Sequence, residues 1–202
     1  NKEAVHNENK YVFNCMNTDK ICIFTDTGKM HTIKAVDIPL GRFRDKGTPV
    51  DNLSNYDSSQ ERMLYVAPVG QLRSDRLLFV TKTSMCKLVE GAEFDVAKRT
   101  IASTKLADED ELIFIGSASE MEQIVLQSHG GCFLRFLTQE VSTMKKTALG
   151  VRGMKLADDD YLEHAYLLAG HQEYTISYHD KEYALNKVRL AKRDTKGIKP
   201  RI

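Results

Sequence analysis

The chain has 202 residues, 42% of them hydrophobic and 28% charged, with 29 Lys and Arg against 28 Asp and Glu for a net charge of +1. This is the composition of a globular protein, and no apolar run approaches the roughly 20 residues of a membrane helix. The even balance also excludes a bulk basic signature for nucleic acid, so any such role must come from where the charges lie. The first residues, Asn1 to Asn9, are polar and carry neither an initiator Met nor a secretory signal, so they read as the edge of a fragment.

The first patterned segment is Ile21 to Ile33, a β-rich apolar run that meets Asp26-Thr27-Gly28 and returns as a second run alternating apolar and polar residues. This predicts a hairpin, with Gly28 supplying the positive φ of its turn. The shape recurs at Arg76 to Leu88 and Gln123 to Phe136, and more faintly at Glu173 to Ala184. With Gly28, Ser84, Gly131 and Lys181 as equivalent turn positions, the spacings are 56, 47 and 50 residues. A basic stretch follows each hairpin, and in three copies it carries a glycine: Arg42 to Gly47, Lys145 to Gly150 and Lys192 to Gly197. The second copy, Lys98 to Ser103, lacks it. The glycines are expected to bring the backbone close to a phosphate. β-type segments are predicted after them at Val50 to Leu53 and Val151 to Leu156.

Acidic links separate the units: Asp57 to Glu61, Asp108 to Glu111 and Asp158 to Asp160. They read as solvated turns without the pattern of a cation-binding loop. No amphipathic helix longer than a turn or two is expected. One repeat cannot bury its own apolar face, so neighbours must stack. The expected fold is therefore an all-β, propeller-like array of about four blades of about four strands each, in a single domain over 1–202. The approximate blades are 10–57, 58–107, 108–157 and 158–202.

Charge is sorted within this repeat. Residues 29–47 carry +3, 85–105 carry +1, 132–156 carry +4 and 181–201 carry +6, leaving −13 for the rest of the chain. In a ring of blades, one basic loop per blade becomes a band along the perimeter that phosphates can follow with little base readout. The competing reading is a propeller that scaffolds protein–protein contacts, with a mixed or apolar binding face and no basic rim.

Catalytic motifs are missing: there is no Walker loop, no Gly-x-Ser-x-Gly elbow and no nucleophile–base pair. His129, His164, His171 and His179 lack the spacing of metal ligands, so no metal and no cofactor is expected. Cys15, Cys22, Cys86 and Cys132 have no C-x-x-C spacing, and three lie in apolar runs, which predicts reduced thiols in or near the core of a cytoplasmic protein.

The units resemble the repeats in the C-terminal domain of the A subunit of DNA gyrase and bacterial topoisomerase IV. The resemblance rests on Thr25-Asp26-Thr27-Gly28-Lys29, on Val36-Asp37-Ile38-Pro39 and on Gly47-Thr48-Pro49-Val50-Asp51-Asn52-Leu53. It rests also on Gly150-Val151-Arg152-Gly153-Met154-Lys155-Leu156 and Arg193-Asp194-Thr195-Lys196-Gly197. It covers almost the whole chain from about Asn9. It implies a β-pinwheel, in which neighbouring blades exchange strands and the outer rim wraps or bends duplex DNA for an ATP-dependent type IIA topoisomerase located with the nucleoid. Partners would be duplex DNA, the ATPase B subunit plus the remaining domains of the A subunit, with no membrane. The domain would be non-catalytic alone, since the cleavage tyrosine and the ATPase belong to other parts of such enzymes. Phosphate contacts are expected from Arg42, Arg44 and Lys46 in the first blade, and Lys98 and Arg99 in the second. The third would supply Lys145, Lys146, Arg152 and Lys155, and the fourth Lys187, Arg189, Lys192, Arg193 and Lys196. The second copy departs from the family pattern in lacking its turn glycine, and the fourth in having His179-Asp180-Lys181-Glu182. By the resemblance, residues 1–9 would be the tail of a preceding blade, so the heptad of the family's first blade would lie upstream of Asn1.

Overall fold

A computed structural model describes residues 2–201, so Asn1 and Ile202 lie outside it. The amino-terminal residues differ from the expected blade tail: Lys2–Glu8 form a short helix, α1. Its Lys, Glu and Ala are good helix formers, and the Asn9 amide donates to Val5 O at 2.7 Å, satisfying a carbonyl of the last turn.

The first hairpin joins β1 (Lys20–Thr25) to β2 (Lys29–Lys34), in a register that sets Ile21 opposite Ile33 and Phe24 opposite Met30. Gly28 turns the chain at φ +78°, as its sequence context predicts. After α2 (Val50–Leu53) comes β3 (Met63–Pro68), which pairs antiparallel with the other edge of β1, and then α3 (Val69–Leu72). The second hairpin is β4 (Arg76–Thr81) and β5 (Met85–Glu90). Here Ser84 takes the left-handed turn at φ +73°, so the turn survives the loss of glycine.

The next strand, β6 (Thr100–Ala102), does not stay with the hairpin before it. It crosses to pair with β2, completing a first sheet of order β3-β1-β2-β6. The pattern repeats. Following β7 (Leu112–Ser117), the third hairpin of β8 (Gln123–Ser128) and β9 (Phe133–Leu137), and β10 (Val151–Arg152), the second sheet reads β10-β5-β4-β7. In the third sheet β11 (Leu162–Leu168) pairs with β8, and an antiparallel bridge from Phe133 to Ile198 stands where the exchanged strand should be. The fourth hairpin is β12 (Thr175–Tyr178) and β13 (Lys181–Ala184). Each of the first three hairpins thus receives one strand from beyond the acidic link, and the first two also receive one from the next unit's basic stretch, a place the Phe133–Ile198 bridge takes in the third. That is the strand exchange of a β-pinwheel.

The 3-10 turns that follow the hairpins start at Ala35, Gly91, Thr138 and Leu185, giving spacings of 56, 47 and 47. The third spacing, 47 rather than 50, corrects the alignment on Lys181. The left-handed residues are His179 (φ +49°) and Asp180 (φ +59°), and Lys181 already begins β13. Two consecutive positive φ values make a two-residue hairpin turn, shorter than the loops of the other copies.

The predicted β-segment at Val50 to Leu53 is instead the one-turn helix α2. Among the described residues no strand lies beside it to pair with. Asp51 in its first turn favours helix, and Ser54 Oγ donates back to Val50 O at 2.9 Å. The corresponding stretch of the third copy does find a partner, since Val151 lies opposite Cys86. Beyond Arg152 the predicted segment does not continue as a strand.

Residues Ile21 to Phe24 and Leu77 to Val80 are buried without alternation because both sheet faces are covered. Phe24, Phe79 and Phe94 pack between the first and second blades, and Leu78, Leu88, Leu126 and Phe136 between the second and third. Phe133, Leu185 and Val188 join the third to the fourth. Cys22 and Cys86 are fully buried, and burial pushes both thiols up to about 12, whereas Cys15 is exposed. The thiolate is the reactive form, so native labelling should modify Cys15 readily and spare Cys22 and Cys86 until denaturant is added. Native modification of Cys86 at the Cys15 rate would contradict this packing.

Candidate nucleic-acid interface

The path of each exchanged strand explains how charge is sorted. Arg99 O accepts from Thr32 N at 2.9 Å, far from the first hairpin turn, and Ser103 N donates to Gly28 O at 2.8 Å, at the turn itself. The basic stretch therefore lies at one end of the sheet edge, and the acidic link begins at the other. The second blade repeats this: Ser142 O accepts from Leu88 N, and Gly153 N donates to Ser84 O at 2.7 Å.

The acidic links are not merely solvated turns, as their composition suggested. One carboxylate from each is bonded to the preceding hairpin turn. The Thr25 and Thr27 hydroxyls donate to Glu61 Oε1 at 2.8 and 2.9 Å. Thr83 donates to Asp110 through its N–H at 3.1 Å and its hydroxyl at 2.6 Å. Gly130 N donates to Asp160 at 2.9 Å. In the first blade the cap extends inward. His31 Nε2 lies 2.8 Å from Glu61 Oε2, and His31 Nδ1 lies 2.9 Å from the Thr100 hydroxyl on the exchanged strand β6. Burial raises the Glu61 carboxyl, but hydrogen bonds from Thr25, His31 and Thr27 outweigh it and hold it below its ordinary value.

Most of the expected phosphate ligands reach solvent. Arg42, Arg44 and Lys46 are exposed on the loop after β2, and Lys98 and Arg99 are exposed before β6. Lys145, Arg152, Lys155, Lys187, Arg189, Lys192 and Lys196 are exposed in the later copies, while Lys146 and Arg193 are half-buried. Two grooves gather some of them. Lys98, Lys105 and Lys146 line one with Thr100 and Thr147, where the second and third basic stretches meet. Arg189, Lys192 and Lys196 line another against Leu190 and Ile198. The first-blade cations line neither groove. Arg152 is partly neutralised by a two-pronged pair with Asp194.

Two features went unread in the sequence. The first is Lys87, 1% exposed, whose Nζ donates to Lys146 O at 2.8 Å and Ala148 O at 2.6 Å, tying the third basic stretch to β5. Burial pushes its ammonium down to about 8. A lysine inside the run Cys86-Lys87-Leu88-Val89, at the repeat position of His31, was the available signal. The second is the purpose of the loop glycines. A Cβ on Gly150 (φ +107°) would stand 2.7 Å from Cys86 O, and one on Gly197 3.0 Å from Phe133 O. These two glycines admit the exchanged chain against the preceding blade, rather than opening the backbone to a phosphate.

The sequence pattern of the family described as DNA gyrase C-terminal domain, beta-propeller, matches residues 19–58, 75–119 and 122–169. The chain is 27% identical over 184 residues to the A subunit of DNA gyrase from Ureaplasma parvum, covering 88% of this chain and 22% of that protein. It is 31% identical over 144 residues to the gyrase A protein of Salmonella typhimurium, covering 70% of this chain and 16% of that protein. It thus spans about a fifth of the length of such relatives. Among solved structures, the C-terminal domain of a DNA topoisomerase IV superposes with a TM-score of 0.81 at 23% identity, over 96% of this chain and 65% of that one. A DNA gyrase A C-terminal domain gives 0.67 at 22% identity, over 91% and 60%.

Proposed function

Because the chain belongs to the DNA gyrase C-terminal domain family, we propose that it binds and bends duplex DNA along its basic perimeter. In this role it serves strand passage by a type IIA topoisomerase. The observation that carries the reading is the segregation of charge along each sheet edge: cations gather before the exchanged strand, while one carboxylate of each link is consumed in capping a turn. The repeat therefore leaves a cation-rich site per blade while the net charge stays near zero. Such a surface holds phosphates and reads little sequence.

The chain supplies no nucleotide loop, and the reading gives it no chemistry of its own. Strand cleavage and ATP hydrolysis would come from the rest of the A subunit, together with the B subunit, in the cytoplasm with the nucleoid. Among the described residues no helix is long and apolar enough to cross a membrane. What this domain would contribute is the path of the DNA entering the strand-passage site.

Bending tests this reading separately from affinity. A duplex of about 40 base pairs, well below the persistence length of about 150, carries a donor and acceptor dye at its two ends. Binding of the chain should raise energy transfer, and a duplex with flexible central steps should bind more tightly than a stiff A-tract. Unchanged end-to-end distance in the saturated complex would reduce the proposal to a linear DNA contact.

A further inference from the structure

The basic stretches contain a repeated dipeptide: Lys98-Arg99, Lys145-Lys146 and Lys192-Arg193, each 47 residues from the last, with Arg42-Phe43 a further 56 upstream. Its two positions are not equivalent in the structure. The first residue is exposed in all four copies. Lys98 and Lys192 make no side-chain hydrogen bond or ion pair among the described residues, and the Lys145 side chain is 83% exposed, with only a loose pair to Glu93 at 3.4 Å.

The second residue is fastened down, in the same way in two copies. Lys146 N donates to Glu93 Oε2 at 3.1 Å and its Nζ to Glu93 O at 3.3 Å. Arg193 N donates to Glu140 Oε2 at 2.9 Å and its Nε to Glu140 O at 2.9 Å. Glu93 and Glu140 are themselves 47 residues apart, each in the 3-10 turn of the preceding blade. Arg193 also donates to Arg152 O at 2.6 Å, which further fixes it. In the first blade the corresponding turn residue is Asp37, one methylene shorter, and Arg99 instead donates to Leu53 O at 3.4 Å. That copy is the looser one.

We infer that the dipeptide divides its work. Its first residue is the phosphate ligand, and its second is a positioning residue that locks the loop onto the preceding blade through a glutamate. This rests on the DNA-binding reading above and narrows it, because Lys146 and Arg193 are withdrawn from the set of phosphate contacts. The geometry supports it directly: a guanidinium or ammonium already donating to fixed carbonyls has fewer N–H groups to offer, whereas an exposed lysine keeps all three.

The test uses the whole chain and a duplex of random sequence, with affinity measured across salt. Each phosphate contact contributes about 0.9 to the slope of log K against log salt. K145A/K192A should lower the slope by about two and leave the melting temperature unchanged. K146M/R193M should lower the melting temperature and weaken binding at every salt, with the slope within about half a unit of wild type. Glu140→Ala keeps every cation while removing the carboxylate that accepts from Arg193 N, so it reads the positioning role even if the double methionine variant fails to fold; it should weaken binding at every salt with a wild-type slope. Equal slope losses from K145A/K192A and K146M/R193M would overturn the division of labour while leaving DNA binding intact. So would an unchanged slope in K145A/K192A. A wild-type chain with no salt-dependent binding would remove the DNA reading itself.

Discussion

Glu61→Ala should destabilise the chain by about 3–5 kcal/mol, because it takes one acceptor from several donors at once and each buried donor left unsatisfied costs about 1–3 kcal/mol. The Glu61 and His31 side chains are 5% and 2% exposed. Loss of the carboxylate leaves the buried His31 Nε2 and Thr25 hydroxyl, and the exposed Thr27 hydroxyl of the turn, without this acceptor. It also leaves the link tied to the hairpin turn only through the Asp26–Arg62 hydrogen bonds, and through His31 and Thr100 it loosens the exchanged strand. For a chain of this size each kcal/mol moves the melting temperature by roughly 2–4 °C. Thermal unfolding followed by circular dichroism should therefore fall by about 6–20 °C, and a fall within 2 °C would show that the cap contributes little. The pH dependence has a definite sign. Since the folded carboxyl is held below its ordinary value, its contribution is complete above the unfolded pKa of about 4.3. It is lost as pH falls through the folded value. Glu61→Gln should flatten this acid limb and leave the alkaline side unaltered.

How far the sequence could be read follows from what each feature depends on. Hairpins depend on local signals, and Thr25-Asp26-Thr27-Gly28 displays them openly. Ser84 shows that the turn outlasts its glycine, and the buried Ser84 hydroxyl accepting from Met154 N at 2.7 Å offers a reason. Lys181 is out of step with the repeat because the fourth hairpin has both a shorter turn, at His179-Asp180, and a four-residue second strand where the other copies have five or six. Val50 to Leu53 resembles a strand by composition, but a strand needs a neighbour, and nothing local announces whether one is there. The same dependence on distant partners hid the roles of Glu61, Asp110 and Asp160, which join links to turns 27 to 36 residues earlier. Exposure of the cations could be anticipated from composition. Which member of a basic pair is bonded to the frame could not, because Glu93 and Glu140 stand 53 residues from the residues they hold.

The central claim is that these basic stretches act together on one duplex, and the salt dependence of wild-type binding tests it most directly. Linear duplex of random sequence should bind with log K falling linearly in log salt. If six or more exposed cations meet phosphates, the slope is about −5 or steeper, so affinity drops about a thousandfold or more between 50 and 200 mM salt. Affinity at fixed salt should vary little with sequence, because the cations face phosphates rather than base edges. A slope shallower than about −1, or affinity at low salt no better than for an uncharged polymer, would contradict the account and leave the basic loops as ordinary solvated surface.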